Sequence, residues 1–346
     1  MDKDTIKRLI IEYQQFVANI TLIEREIHLS HQLNYVFVGL RRAGKSYLMY
    51  QQIQSLLNDG HQPEEILYFN FEDDRLVNLT VEDLDLIKVS YEELYPHKPI
   101  FFLDEIQIVE HWEKFARRLA DQQYRVYITG SNAKMLSAEI ATTLGGRYIV
   151  QNVYPFSFSE FLKASKIEIG PTWYYKNRTE IVRTFSDYFS YGGLPELMLI
   201  ETIEKRQWLS NLFNKIFFGD LITRYSIRND LAMKVLIRKL AESVKQPSSF
   251  NRLTNIVSTT GAKVSTDTII DYLNFLQATW LFFSLENYAS KLVEKISNRK
   301  YYFIDNGLLN LFLIDPVTSL LENIVAISLK KKYEDPEWRS KVINKI

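Results

Sequence analysis

The chain contains no cysteine, which excludes disulfides and every thiolate-bound metal centre. Glycine is scarce, 12 residues in 346, about half the usual share. No Gly/Ser linker or low-complexity run divides the chain, and no internal repeat recurs at a fixed period. Neither sign of charge dominates: 42 Lys and Arg balance 42 Asp and Glu. This excludes a strongly basic nucleic-acid coat and a polybasic membrane surface, and leaves open only a local basic patch. Also missing is any run approaching the roughly 20 uncharged apolar residues that a membrane span needs. The first residues, Met1-Asp2-Lys3-Asp4-Thr5, lack the apolar core of a signal peptide, so the expected location is cytoplasmic.

What is present is an apolar fraction of 46% beside 24% charged residues, the balance of a folded globular protein, in a length that allows about two domains. In the first half, short β-branched and aromatic runs alternate with helix-length segments. The runs are 34–38 (Asn-Tyr-Val-Phe-Val), 66–70 (Ile-Leu-Tyr-Phe-Asn), 100–104 (Ile-Phe-Phe-Leu-Asp), 124–129 (Tyr-Arg-Val-Tyr-Ile-Thr) and 147–151. They predict five buried strands. Strands separated by helices need crossover connections, so the fold class is α/β with a parallel sheet covered on both faces. Beyond about residue 155 the apolar spacing changes to three and four, as in Phe185, Tyr188, Phe189 and in Leu209, Leu212, Phe213, Ile216, Phe217. This spacing predicts a mostly helical second half, and β-like runs return only in one late hairpin.

Gly39-Leu40-Arg41-Arg42-Ala43-Gly44-Lys45-Ser46 follows the first strand run and opens a helical pattern. Gly, four residues, Gly-Lys-Ser in that context is a phosphate-binding loop. The glycines let backbone N–H groups wrap phosphate oxygens, Lys45 brings a cation to the β and γ phosphates, and the Ser46 hydroxyl ligates Mg²⁺. The expected nucleotide contacts are Gly39, Arg41, Arg42, Ala43, Gly44, Lys45, Ser46 and Tyr47. Lys98-Pro99-Ile100-Phe101-Phe102-Leu103-Asp104-Glu105 is an apolar run ending in two acids, which puts both carboxylates at a strand's C-terminal edge, where open α/β sheets bind ligands. Asp104 is expected to hold Mg²⁺ through water and Glu105 to act as general base toward the attacking water, since the first carboxylate is committed to the metal. The next run ends in Thr129-Gly130-Ser131-Asn132. Ser131 or Asn132 can bond the γ phosphate or the attacking water, or simply cap a helix. Arg147, in Leu144-Gly145-Gly146-Arg147-Tyr148, is either a surface arginine or a guanidinium that reaches the γ phosphate of a neighbouring subunit.

Together these segments resemble the AAA-type ATPases of bacteria and archaea that carry a C-terminal domain of unknown function. The resemblance also covers Pro155-Phe156-Ser157-Phe158-Ser159-Glu160-Phe161, Tyr191-Gly192-Gly193-Leu194-Pro195-Glu196, residues 265–276 and Tyr302-Phe303-Ile304-Asp305-Asn306-Gly307-Leu308. It implies a five-stranded core with an extra strand between the two Walker strands, ATP as the nucleotide, Asp104 and Glu105 as Walker B acids and Asn132 or Ser131 as sensor, and for Arg147 it leaves the arginine-finger role open beside that of a surface residue. The domains expected are an ATPase core over 1–155, a helical lid or connector over 156–230, a winged-helix-like domain over 231–315 and the remnant of a nuclease-like domain over 316–346. Members of the family commonly continue into a nuclease-like fold whose first helix resembles residues 320–326. Here only 24 residues follow Glu322, too few for its sheet and metal-binding acids, so nuclease chemistry is not expected of this chain.

Read from its own residues, the C-terminal half has a helix near 249–258, the Gly261 turn, and a second helix capped by Ser265 with Ile269, Leu273, Leu276 and Trp280 on one face. Two β-like runs, 281–288 and 299–305, flank a basic connector with Lys291, Lys295, Arg299 and Lys300, the outline of a winged helix. Asp267 and Asp271 lie on the outward face of the second helix, with no Lys or Arg after Lys263. That charge disfavours groove reading. His28 and His31 lack a third ligand, and Glu72-Asp73-Asp74 reads as a solvated loop. The expected function is an Mg²⁺-dependent ATPase coupled to a winged-helix module, with ATP and Mg²⁺ as cofactors and a homo-oligomer, a protein partner or DNA left open. The alternative is a slow nucleotide-gated switch; a P-loop kinase is disfavoured because no acceptor motif accompanies Glu105.

Overall fold

The structure is a computed structural model and describes residues 2–76, 79–130, 142–286 and 297–334. The chain forms two compact units, Met1–Gly39 with Gly44–Val153, and Leu40–Ala43 with Tyr154–Ile346.

A strand covered on both faces is apolar throughout rather than alternating, and four of the five aromatic-rich runs in the first unit are of this kind. β1 (Asn34–Val38), β2 (Ile66–Asn70), β3 (Ile100–Asp104) and β4 (Arg125–Gly130) are buried almost end to end. β5 (Tyr148–Asn152) corrects the expectation of five buried strands: it lies at the sheet edge, and Ile149 and Val150 are exposed. The order is β2-β3-β4-β1-β5 with every pair parallel. β4 therefore stands between β1 and β3, as the resemblance implied. Helices α2 (Lys45–Asn58), α3 (Val81–Leu94) and α4 (Trp112–Asp121) lie in the connections. Helix α1 (Lys3–Asn19) precedes the sheet; Asp2 caps it by accepting from the Thr5 N–H at 2.9 Å, and it buries Ile6, Leu9, Ile10 and Val17.

Strand register decides which side chains meet. Tyr68, Phe102 and Tyr127 are paired side by side across β2, β3 and β4. Since side chains two apart share a face, Asp104 and Thr129 extend beyond this aromatic row on the same side. Phe102 and Tyr127 stack with centroids 4.5 Å apart, and Tyr35 stacks on Tyr127 at 6.0 Å. Leu48, Met49, Tyr50, Ile53 and Leu56 of α2 share that hydrophobic cluster. All strands being parallel, β1, β3 and β4 end at one edge.

The second unit is mainly helical: α5 (Phe158–Ala164), α6 (Arg178–Tyr191), α7 (Thr202–Lys215) running into a π-helical stretch Ile216–Thr223, then α8 (Asp230–Glu242), β6 (Ser248–Ser249), α9 (Phe250–Thr259), α10 (Thr266–Ala278), β7 (Phe282–Leu285), β8 (Asn298–Phe303), α11 (Asn306–Asn310) and α12 (Val317–Glu334). β8 pairs antiparallel with both β6 and β7. Ser265 caps α10 as expected, its hydroxyl accepting from the Thr268 N–H at 3.1 Å. Lys291 and Lys295 of the basic connector lie outside the described residues. Among the described residues no helix is long and apolar enough to cross a membrane.

Asp305 organises the middle of this unit. Its carboxylate is buried and accepts from the backbone N–H groups of Gly193 at 2.8 Å, Gly307 at 2.8 Å and Leu308 at 3.3 Å. Burial pushes its carboxyl up to about 6, and the three N–H donors oppose that shift. Gly192 passes over the carboxylate with φ +82° and ψ −167°, and a Cβ there would lie 2.0 Å from Asp305 Oδ1. Gly192→Ala combines backbone strain with this clash, so it is expected to cost about 3 kcal/mol in urea unfolding. At Gly219, by contrast, a Cβ meets nothing within 4 Å, and Gly219→Ala is expected to leave stability unchanged or raise it by less than about 1 kcal/mol. Equal midpoints for the two variants would refute the clasp.

Candidate nucleotide-binding site

The edge where β1, β3 and β4 end carries five of the residues singled out from the sequence, Gly39, Lys45, Ser46, Asp104 and Glu105. Gly39 follows β1 at a point where a Cβ would lie 2.1 Å from the Val153 carbonyl oxygen, so packing alone already requires glycine there. Lys45 opens α2 and is buried, its Nζ 3.4 Å from the Gly39 carbonyl oxygen and 3.9 Å from Glu105 Oε1. Asp104 ends β3 and is 2% exposed. Its Oδ1 accepts from the Thr129 hydroxyl, its Oδ2 from the Tyr68 hydroxyl at 2.7 Å, and the Ser46 hydroxyl also bonds the carboxylate. Burial pushes the Asp104 carboxyl up; the Thr129 bond opposes this most strongly, the Glu105 charge adds to the rise, and the Tyr68 and Ser46 bonds oppose it further.

Glu105 takes a left-handed backbone conformation at φ +57°. Its N–H donates to Thr129 Oγ1 at 2.9 Å, so one threonine fixes both acids. Its Oε2 accepts from Gln107 Nε2, while Gln107 Oε1 is buried without a hydrogen-bond partner among the described residues. Such an acceptor suits a bound water. The donor set for a cation is all oxygen: one hydroxyl and one buried carboxylate that needs a compensating charge. This suits Mg²⁺. Among the described residues no group of three His, Cys, Asp or Glu could hold a metal, so water and phosphate oxygens would complete its shell.

Other predicted residues are engaged elsewhere. Leu40–Ala43, the tip of the loop, groups with the second unit. There Arg41 meets Asp220 (Nε to Oδ2, 3.1 Å), which also pairs with Arg224 at 3.2 Å. Arg42 pairs with Glu196, and its guanidinium carbon sits 5.7 Å from the Trp208 ring centre. The side chains of Arg41 and Arg42 thus meet acids. Tyr47 is half exposed, its ring 5.4 Å from that of Tyr50. Arg147 pairs with Asp121, and its carbonyl accepts from Asn34 Nδ2 at 3.4 Å. Asn34 begins β1, so Arg147 sits where β1 starts, whereas the loop that carries Lys45 follows the end of β1, a strand spanning about 13 Å. Ser131 and Asn132 lie outside the described residues. Asp73 is less solvated than its acidic run suggested: Arg75 and the Tyr13 hydroxyl bond it and hold its carboxyl well below the usual range. His31 pairs with Asp59 at the surface.

Several contributors escaped the sequence reading. Tyr68 resembled any core aromatic, and Gln107 had no periodic context. Asp220 carried a signal, a lone acid within the apolar run Ile216-Phe217-Phe218-Gly219-Asp220-Leu221-Ile222.

A parallel five-stranded sheet with the loop after β1, the acid pair after β3 and β4 between them defines the P-loop nucleoside-triphosphatase fold. Residues 32–162 match an AAA domain and residues 182–318 a domain of unknown function. An uncharacterized protein of Methanocaldococcus jannaschii is 32% identical over 336 residues, covering 95% of this chain and 74% of that protein. One from Haemophilus influenzae is 32% identical over 327 residues, covering 90% and 79%. The chain belongs to this family of AAA-type P-loop ATPases with a C-terminal domain of unknown function. Solved structures similar to it include the Walker-type ATPase of Pyrococcus abyssi, at 11% identity and TM-score 0.49 over 90% of this chain and 95% of that one. AMPPCP-bound DnaA of Aquifex aeolicus is similar at 14% identity and TM-score 0.32 over 78% and 87%.

Proposed function

We propose that the protein binds ATP with Mg²⁺ and hydrolyses its terminal phosphoanhydride bond, and that nucleotide state is felt by the C-terminal module. The observation that carries this reading is the convergence of Lys45, Ser46, Asp104 and Glu105 at one sheet edge. Lys45 Nζ, beside Glu105, is the cation for the β and γ phosphates. Glu105, held by Gln107 and by the Thr129 contact to its backbone, takes the proton of the attacking water. Ser46 and Asp104 would hold Mg²⁺, which supplies charge neutralisation to the phosphates. Mg²⁺-dependent phosphate release, measured beside size-exclusion chromatography with and without duplex DNA, tests the reading; no release above background at any protein concentration would reject it.

Coupling is supported by the loop itself, whose tip carries Arg41 and Arg42 onto Asp220 and Glu196. The order α8-β6-α9-α10-β7-β8, with β8 paired to both other strands, fits a winged helix. We assign it to packing or protein contacts rather than to DNA. Asp267 and Asp271 are exposed on α10, and Arg299 and Lys300 are paired with Glu286 and Glu322. Turnover is therefore expected to be unchanged by duplex DNA.

Arg147 lies at the start of β1 and the phosphate loop of its own subunit follows the end of β1, which favours action on a neighbour in a homo-oligomer. Arg147→Ala is then expected to lower turnover on the order of 10³-fold with ATP affinity nearly intact. Mixing it with Glu105→Gln is expected to restore part of the activity, since a mixed interface can join an intact Glu105 to an intact Arg147. Specific activity independent of concentration, without rescue on mixing, returns Arg147 to a surface partner of Asp121.

A further inference from the structure

We propose that Tyr68, supported by Tyr50, is a positioning residue that fixes the Asp104 carboxylate for the divalent cation; this rests on the nucleotide-binding reading above. Both phenols are buried, at 1% and 8% exposure. For packing alone phenylalanine would serve, since the Tyr68 ring makes edge contacts with Tyr13 and Tyr50 at 5.3 Å each. A buried hydroxyl costs free energy unless it is bonded, and this one is bonded to the acid at the site, 2.7 Å from Asp104 Oδ2.

The direction of the bonds follows from proton counting. Tyr68 has one hydroxyl proton and gives it to the carboxylate, so at 3.1 Å Tyr50 is the donor to Tyr68. Tyr50 belongs to α2, four residues beyond Ser46 and hence on the same helix face. A donor chain therefore runs from the helix that the phosphate loop opens, through β2, to the acid at the end of β3. From the other side Thr129 of β4 donates to Oδ1. A donor to each oxygen from the two strands that flank β3, joined by the Ser46 hydroxyl, fixes the carboxylate plane. The carboxylate's remaining lone pairs stay available to a cation's shell. Partners of this kind orient metal-bound carboxylates, and their loss commonly weakens metal affinity 10- to 100-fold.

The test uses the full-length chain and three proteins, wild type, Tyr68→Phe and Tyr50→Phe. Nucleotide affinity is measured in EDTA and across a Mg²⁺ titration, and Mn²⁺ binding to the protein–ADP complex is followed by electron paramagnetic resonance. Tyr68→Phe is expected to raise the half-saturating Mg²⁺ and Mn²⁺ concentrations by roughly 10- to 100-fold, with EDTA affinity within about twofold of wild type. Tyr50→Phe keeps the bond to Asp104 and loses only its supporting donor, so a rise of about threefold is expected. An unchanged cation midpoint in Tyr68→Phe overturns the proposal, as does a matching loss of affinity in EDTA, which would mark general damage to the core. Should Tyr68→Phe not fold, an unchanged midpoint in Tyr50→Phe overturns it instead. If wild type itself binds no nucleotide, the parent reading fails, an outcome separate from a wild type that responds to the cation beside a variant that responds equally.

Discussion

Lys45→Ala is expected to abolish nucleotide binding. The two arginines of the loop are held on Asp220 and Glu196, so Lys45 is the loop's cation at the strand edge, buried and close to Glu105. Without it, phosphates entering the site would lose water and meet the negative charges of Asp104 and Glu105 with no side-chain cation of the loop to oppose them, leaving only the divalent cation and backbone dipoles. Calorimetric titration with ATP and Mg²⁺ measures the effect, with thermal melting as a check that the variant is folded. Affinity equal to wild type in a folded variant would remove Lys45 from the site.

Glu105→Gln is expected to separate binding from chemistry. The amide keeps the size of the side chain, and the backbone N–H still donates to Thr129. What is lost is the ability to accept a proton, worth roughly 10² to 10⁴ in rate for a positioned base. The neighbouring charge that holds Lys45 at 3.9 Å is also lost, so ATP affinity is expected to stay level or rise while single-turnover hydrolysis falls by that factor. Wild-type hydrolysis in this variant would mean that another group activates the water.

How much of this was legible beforehand follows the range of the forces involved. The phosphate loop, the acid pair and the strand runs are local patterns, set by steric limits on the backbone and by side-chain period, and they can be read within a few residues of one another. The run of β5 is apolar, yet burial depends on what covers a strand's faces, which no local pattern reports: β2 is also an edge strand and is buried, with α1 packed on it, whereas Ile149 and Val150 of β5 are exposed. Thr129 was visible as part of a polar cluster but not as the hydroxyl that bonds Asp104 and receives the Glu105 N–H. Its partners come from another strand and a parallel register.

The sequence by itself determined that this is an α/β chain with a phosphate loop, a strand-end acid pair and a helical second half, because each is a short-range pattern of residue types. Only the tertiary structure decided that Tyr68 and Thr129 grip Asp104 from opposite sides, that Arg41 and Arg42 meet Asp220 and Glu196, and that Arg147 lies at the far edge of the sheet. Those pairings join residues from 25 to 179 positions apart. They depend on strand order, register and helix placement, which the whole chain's packing sets and no local stretch encodes.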